Sequence, residues 1–300
     1  MNGRALLQFL VVVAVWGTSW LAIALQLGAV NPTWSVAYRF ALGAAALIGW
    51  CLLRGMPLRL PRAGWGFVVV LAIAQFVLNF NLVYRAETYI PSGLVAVAYA
   101  LLVPANALFA RLFLARPVSP RLLLGSALGL SGTLLMFANQ AAGMNGAAWK
   151  GILLAVLAVT TASCANVMQV TRLGRTLPPL ATIAWAMLVG AALNAALALV
   201  VAGPPQWDPR PQYLGAVLML GLLASALAFA VYYDLIRAIG PAEAAWTSVL
   251  IPVVAMTLST VAEGYRWSFQ SAAGAVLAML GMAIALRSPP GRRPVPDAAG

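Results

Sequence analysis

Residues 99–109 read YALLVPANALF, and residues 248–258 read SVLIPVVAMTL. Each places a proline, Pro104 or Pro252, inside an apolar run long enough to cross a membrane. A proline in a helix interior removes one backbone hydrogen bond and clashes with the preceding turn, at about 3 kcal/mol. Two such breaks at corresponding places in one chain ask for a common cause.

The surrounding sequence supplies the setting. Of 300 residues 63% are hydrophobic and 8% charged, and the mean hydropathy is +0.93. Soluble domains carry about 25% charged residues, so this chain lacks the polar side chains to cover a water-facing surface. It reads as an all-α integral membrane protein. Cys51 and Cys164 both fall inside apolar runs, which argues against a disulfide framework. The sequence has no histidine and no Cys/His or paired-carboxylate cluster, so neither a metal nor a cofactor is expected.

A membrane span needs about 20 mostly apolar residues. Reading between charged, Pro-rich or Gly-rich breaks gives ten, near 5–28, 34–53, 64–85, 91–114, 119–139, 149–170, 180–202, 212–238, 241–263 and 268–287. The first exceeds the roughly 7–15 residue core of a signal peptide and is read as a retained helix. Connections are short, and the tail 288–300, SPPGRRPVPDAAG, has the composition of a disordered segment. With the N-terminus in the cytoplasm, thirteen of the 18 basic residues fall on its side and only Arg85, Lys150, Arg210 and Arg266 on the other, Arg39 being inside a span. That asymmetry places both termini in the cytoplasm. The net charge of +12 is thereby an orientation signal, and nucleic acid is not expected as a partner.

The two proline stretches also sit in a repeat. Tyr84 precedes Pro104 by 20 residues and Tyr233 precedes Pro252 by 19; Gly125 and Gly132 follow the first proline, Gly274 and Gly281 the second, at spacings that differ by one. The chain thus divides near residue 145 into a first set of five spans, 1–144, and a second, 145–287. Five is odd, so the halves thread the membrane in opposite directions. Inverted repeats with interrupted helices at matching positions are a mark of secondary transporters. Pro104 and Pro252 then read as hinges facing one central site. The alternative is that each proline is simply tolerated, neighbouring groups satisfying the freed carbonyl.

Ten spans in two inverted halves, AVWGTSWLA at 14–22, YRFALGAAAL at 38–47 and the run from Val249 to Gly281 containing Pro252 and Glu263 resemble the drug/metabolite transporter superfamily in its EamA-type branch. The resemblance covers everything but the tail. One departure is FLARPVSP at 113–120, where such proteins often carry a glutamate. The resemblance implies a carrier without ATP, and within the branch the composition is similar to bacterial inner-membrane exporters of amino acids, aromatic ones in particular. The substrate would be a small molecule, the lipid bilayer the other partner, and the protein a monomer or homodimer.

Polar side chains deep in a span face the bundle interior. Those at mid-depth include Trp16 and Ser19, Gln75 and Asn79 (one helix face), Tyr99, Ser163 and Asn166 (one face), Trp185 and Ser248. They are candidates to bind an ammonium and a carboxylate and to stack on an apolar side chain; interhelical hydrogen bonds are the competing role. Arg39, some 9 Å into its helix at 1.5 Å per residue, either snorkels outward or guides anionic groups. Asp234, Glu243 and Glu87 are expected near the faces, leaving no carboxylate at mid-membrane for proton coupling. Gly125, Gly129 and Gly132 form one small-residue stripe and Gly274, Ala278 and Gly281 another, for close packing between those helices or in a dimer. Rival readings are a drug or nucleotide-sugar carrier of the same fold, and a passive channel. An enzyme is not expected without a buried nucleophile–base pair or carboxylate dyad.

Overall fold

A computed structural model of the chain describes residues 3–114, 120–143, 147–239 and 247–286. The tail, Glu243 and Trp246 lie outside the described residues, as does the side chain of Ser248. All regular structure among the described residues is helical. In chain order the helices are α1 Gly3–Ala24, α2 Pro32–Leu53, α3 Arg62–Leu71, a π-helical segment Ala72–Asn79, α4 Phe80–Ala86, α5 Ser92–Ala98, a 3-10 turn Tyr99–Leu101, and α6 Leu102–Leu114. There follow α7 Pro120–Gly143, α8 Ala148–Gln169, the short α9 Arg172–Thr176, α10 Pro179–Ala202, α11 Pro211–Leu218, a second π-helical segment Met219–Leu227, α12 Ala228–Ile239, α13 Thr247–Ala262 and α14 Phe269–Leu286.

Among the described residues six helices are long and apolar enough to cross a membrane: Gly3–Ala24, Pro32–Leu53, Arg62–Ala86, Ala148–Gln169, Pro179–Ala202 and Pro211–Tyr232. Shorter apolar stretches lie at Leu123–Gly132, Leu250–Ala262 and Phe269–Gly281. Local chemistry sets several ends. Pro32, Pro179 and Pro211 open their helices, where the missing N–H is not needed. The Asn31 side chain accepts from the Thr33 amide as an N-cap, and Gly203, at φ 77°, ends α10. The outward faces stay apolar: Leu53 is 86% and Phe269 88% exposed, surface that only lipid makes tolerable over so many helices.

The two halves of the chain interlock. Hypothetical methyl groups mark the closest approaches. One at Gly132 of α7 would run into the backbone of Gly274 and Ala278 on α14; one at Gly281 would run into Gly125 and Gly129. Later residues of α7 thus face earlier residues of α14, so the two helices are antiparallel and their contact is reciprocal. Elsewhere a methyl at Gly17 of α1 would meet Val254 of α13 at 2.6 Å, and one at Gly43 of α2 would meet Ser225 at 3.0 Å.

The two prolines sit in different surroundings. Pro104 is the third residue of α6, directly after the 3-10 turn that tightens residues 99–101. Pro252 lies inside α13, which is α-helical on both sides of it. The unforeseen irregularities are the π-helical segments. They begin 147 residues apart and end 148 apart, the prolines being 148 apart. Such segments mark places where the regular hydrogen-bond ladder is interrupted, frequently at functional sites.

Candidate functional site

A π turn loosens the ladder and leaves carbonyls to be satisfied from outside. In the first segment the Phe76 carbonyl accepts from the Asn194 side-chain amide of α10 at 2.9 Å. In the second the Ala224 carbonyl accepts from the Trp16 indole of α1 at 3.0 Å. Phe76 and Ala224 are again 148 residues apart. Each half therefore holds the loosened helix of the other by one side chain. Asn194 is fully buried and also bonds the Gly190 carbonyl and Asn81.

Beside the first π segment lies a polar cluster. Asn79 donates to the Tyr99 hydroxyl at 2.6 Å and to the Ala158 carbonyl at 2.7 Å, and Gln75 reaches Asn79 at 3.5 Å. Trp20 packs edge-on against Tyr99 with centroids 5.0 Å apart, and Trp16 against Phe229 at 5.3 Å and Tyr232 at 5.0 Å. Ser163 is buried, its hydroxyl without a hydrogen-bond partner among the described residues. The void bordered by Gln75, Phe76, Asn166, Gln169 and Phe229 measures about 20 Å³. That holds a water molecule or so, so this void is too small for a metabolite in this conformation. A wider crevice of about 490 Å³ opens at one end of the bundle, beside Arg85, Trp149 and Lys150, away from the cluster.

The candidates separate accordingly. Gln75, Asn79 and Tyr99 come together, while Trp16 packs on Phe229 and Tyr232 with its indole N–H committed to Ala224. Ser19 donates to the Trp16 carbonyl of its own helix at 2.8 Å. Asn166 is exposed and meets Asn106 at 3.5 Å. Trp185 lies apart: its indole donates to the Leu58 carbonyl at 2.8 Å and its ring packs on Trp65, where it pins the loop between α2 and α3.

Two charged residues depart from expectation. Arg39 does not snorkel: it is 2% exposed, donates to Ser225 at 3.1 Å and lies over the Phe80 ring at 4.4 Å. Glu87, the residue after α4, is not a surface loop residue but 9% exposed, and neither of its carboxylate oxygens has a hydrogen-bond partner among the described residues. Burial pushes its carboxyl well above the usual carboxylate range and the nearby Glu263 adds to this, with Arg39 acting against it. Glu263 itself, past the end of α13, accepts from the Ser92 hydroxyl at 2.7 Å, the Ser92 amide at 3.3 Å and the Ser259 hydroxyl. These bonds clamp the start of α5 to the end of α13. The sequence offered one usable signal for the missed residues: Asn194 and Asn81 are isolated amides in apolar spans, which rarely go unpartnered in lipid.

Apolar outer faces, reciprocal packing between halves and a polar interior around loosened helices define a polytopic membrane protein of the transporter type. The chain belongs to the EamA-like transporter family, whose model matches it twice, over residues 3–138 and 149–287. PagO of Salmonella typhimurium is 26% identical over 274 residues, 88% of this chain and 86% of PagO. YedA of Escherichia coli K12, described as an uncharacterized inner membrane transporter, is 28% identical over 254 residues, 82% of this chain and 78% of its own. A crystal structure of a protein 26% identical superposes with a TM-score of 0.70, over 95% of this chain and 97% of that one.

Proposed function

We propose that this chain is an inner-membrane secondary transporter that exports amino acids or similar small metabolites by alternating access. In this reading ten spans form two inverted halves, 1–144 and 145–287, with both termini cytoplasmic. The observation that carries it is reciprocity. Equivalent carbonyls, Phe76 and Ala224, are each held by a side chain of the opposite half, and α7 meets α14 antiparallel through equivalent glycines. Halves related by a two-fold axis in the membrane plane would produce the glycine contact and set equivalent carbonyls against the opposite half, while the two donors, Asn194 of α10 and Trp16 of α1, come from non-equivalent helices. Such halves can exchange conformations, which opens the centre to each side in turn.

With the termini cytoplasmic, the Ser92–Ser259–Glu263 clamp lies at the outer end and the small void in the inner half. The conformation is then one shut toward the outside, with Pro104 and Pro252 as hinges that would bend when it opens. The test is counterflow in liposomes preloaded with each of the twenty amino acids in turn. Saturable exchange of at least one labelled amino acid is expected. Flux that never saturates would make the protein a channel, and no amino-acid flux from protein verified as folded would overturn the substrate assignment.

A further inference from the structure

Of the basic residues, Arg39 lies farthest from the end of a predicted span. A guanidinium keeps its charge in proteins and is the side chain best shaped to grip a carboxylate. Buried charges are normally paired. Among the described residues the single ion pair is Arg210–Asp208, so Arg39 has none. Its Nε bonds Ser225, its ring neighbours are Phe40 and Phe80, and the Tyr84 hydroxyl lies beside it, bonded in turn to Gln26. One terminal nitrogen, Nη1, is buried with no hydrogen-bond partner. Glu87 lies within electrostatic reach of Arg39 but not in contact.

The surroundings connect this unmet donor to the centre of the bundle. Arg39 is close enough to Tyr99 to act on it electrostatically, and Tyr99 is the partner of Asn79. Between Arg39 and the void stand aromatic rings: Phe40 packs on Phe76 at 4.8 Å, and Phe76 on Phe229 at 6.1 Å. Phe76 and Phe229 also border the void. A turn of either ring would bring Arg39 toward that space.

We propose that Arg39 is the anion anchor of the transport site, its free Nη1 taking the carboxylate of the substrate while Phe76, Phe229 and Trp16 receive an apolar body. This rests on the carrier reading and narrows it: the substrate bears a carboxylate whether or not it bears an amine. Ser225 and Tyr84 orient the guanidinium and would keep it from swinging toward the outer surface.

The experiment is ligand protection against thermal unfolding of the purified full chain in detergent. The probes are phenylalanine, leucine and glutamine, each with its amide, its decarboxylated amine, and the matching carboxylic acid without the amine. Acids are expected to protect at concentrations at least about tenfold lower than their amides or amines, the worth of a charge-assisted hydrogen bond. Arg39→Met should remove that preference, and Arg39→Lys should keep part of it. Equal protection by acid and amide in the wild-type protein overturns the anchor while leaving a carrier intact, and needs no variant to fold. Protection by the plain carboxylic acids but by no amino acid supports the anchor and overturns the amino-acid assignment. Protection by amines alone, or by no probe, overturns the anchor.

Discussion

The helix Arg62–Ala86 and its counterpart running on from Pro211 have nearly the same backbone and different chemistry. Both contain a π-helical segment at the same register, and both present one loosened carbonyl to a side chain of the opposite half. The first carries Gln75 and Asn79, where the second has Leu223 and Leu227 at the positions 148 residues on. The donors differ too: a fully buried amide, Asn194, on one side and an indole, Trp16, on the other. In the alternating-access carrier proposed above, both halves would move, so a deformable backbone would be needed twice, whereas one bound substrate would need its polar contacts only once.

The strongest challenge to this symmetry is a side chain placed where the halves touch. Gly132→Leu and Gly281→Leu should each exceed the roughly 1–3 kcal/mol of ordinary overpacking, because backbone rather than a movable side chain stands in the way. Size-exclusion profiles of fluorescent fusions should lose the monodisperse peak for both. If only one variant failed, the contact would not be reciprocal. Next come the carbonyl holders. Asn194→Leu strips partners from Phe76 and Asn81 at about 1–3 kcal/mol for each buried group left unpaired. Trp16→Phe keeps an aromatic ring and orphans only the Ala224 carbonyl, so equilibrium unfolding in mixed micelles should rank it as the milder of the two. A Trp16→Phe protein as stable as the wild type would mean that the second π segment needs no outside donor.

The proposed hinges should separate less sharply. Pro104 follows a 3-10 turn, and Pro104→Ala would let regular helix extend back through it; Pro252 already lies within α-helix, so Pro252→Ala has less to straighten. Counterflow should slow for both, by up to about tenfold at Pro104, equivalent to a barrier about 1.4 kcal/mol higher, and by less at Pro252. Membrane abundance should stay unchanged. Wild-type rates for both variants would remove the prolines from the mechanism.

What could be read ahead of the structure followed from composition and spacing. Apolar runs announce membrane helices because lipid leaves the chain no other choice. The glycine stripes announce a close approach because only small residues permit one, and α7 does lie against α14 through them. The π-helical segments were invisible: LAIAQFVLNF and MLGLLASALA carry no residue that demands an extra turn, and the interruption depends on a donor, Asn194 or Trp16, supplied by a distant helix. Trp16 drew attention as a ligand contact, and the structure adds that its N–H serves the Ala224 carbonyl. Glu87 and Arg39 were placed by depth along their own helices. Arg39 is instead buried against Ser225 of the second π segment and Phe80 of α4, and Glu87 is buried within electrostatic reach of Glu263.

Glu87 yields the smallest and most specific effect, one confined to the end of the bundle where Glu263 clamps α5 to α13. The counterpart of Glu87 in the second half, 148 residues on, is a buried leucine, Leu235. With that end shut, Glu87 holds its proton above the usual carboxylate range, because burial and Glu263 outweigh Arg39. When the end opens to water its affinity for protons falls to the ordinary value, so the shut form binds more protons than the open one. The sign follows: acid favours the shut form, and that advantage is lost as pH rises from the ordinary carboxylate range up through the raised value. One proton sets the limit at about 1.4 kcal/mol per pH unit. Deuterium exchange of the Ser92–Ala98 amides should therefore quicken, beyond the intrinsic base-catalysed rate, as pH is raised, and Glu87→Gln should flatten that extra rise. A Glu87→Gln protein that retains the full pH response would assign the titration to another group, and an end that loosens in acid would reverse the argument.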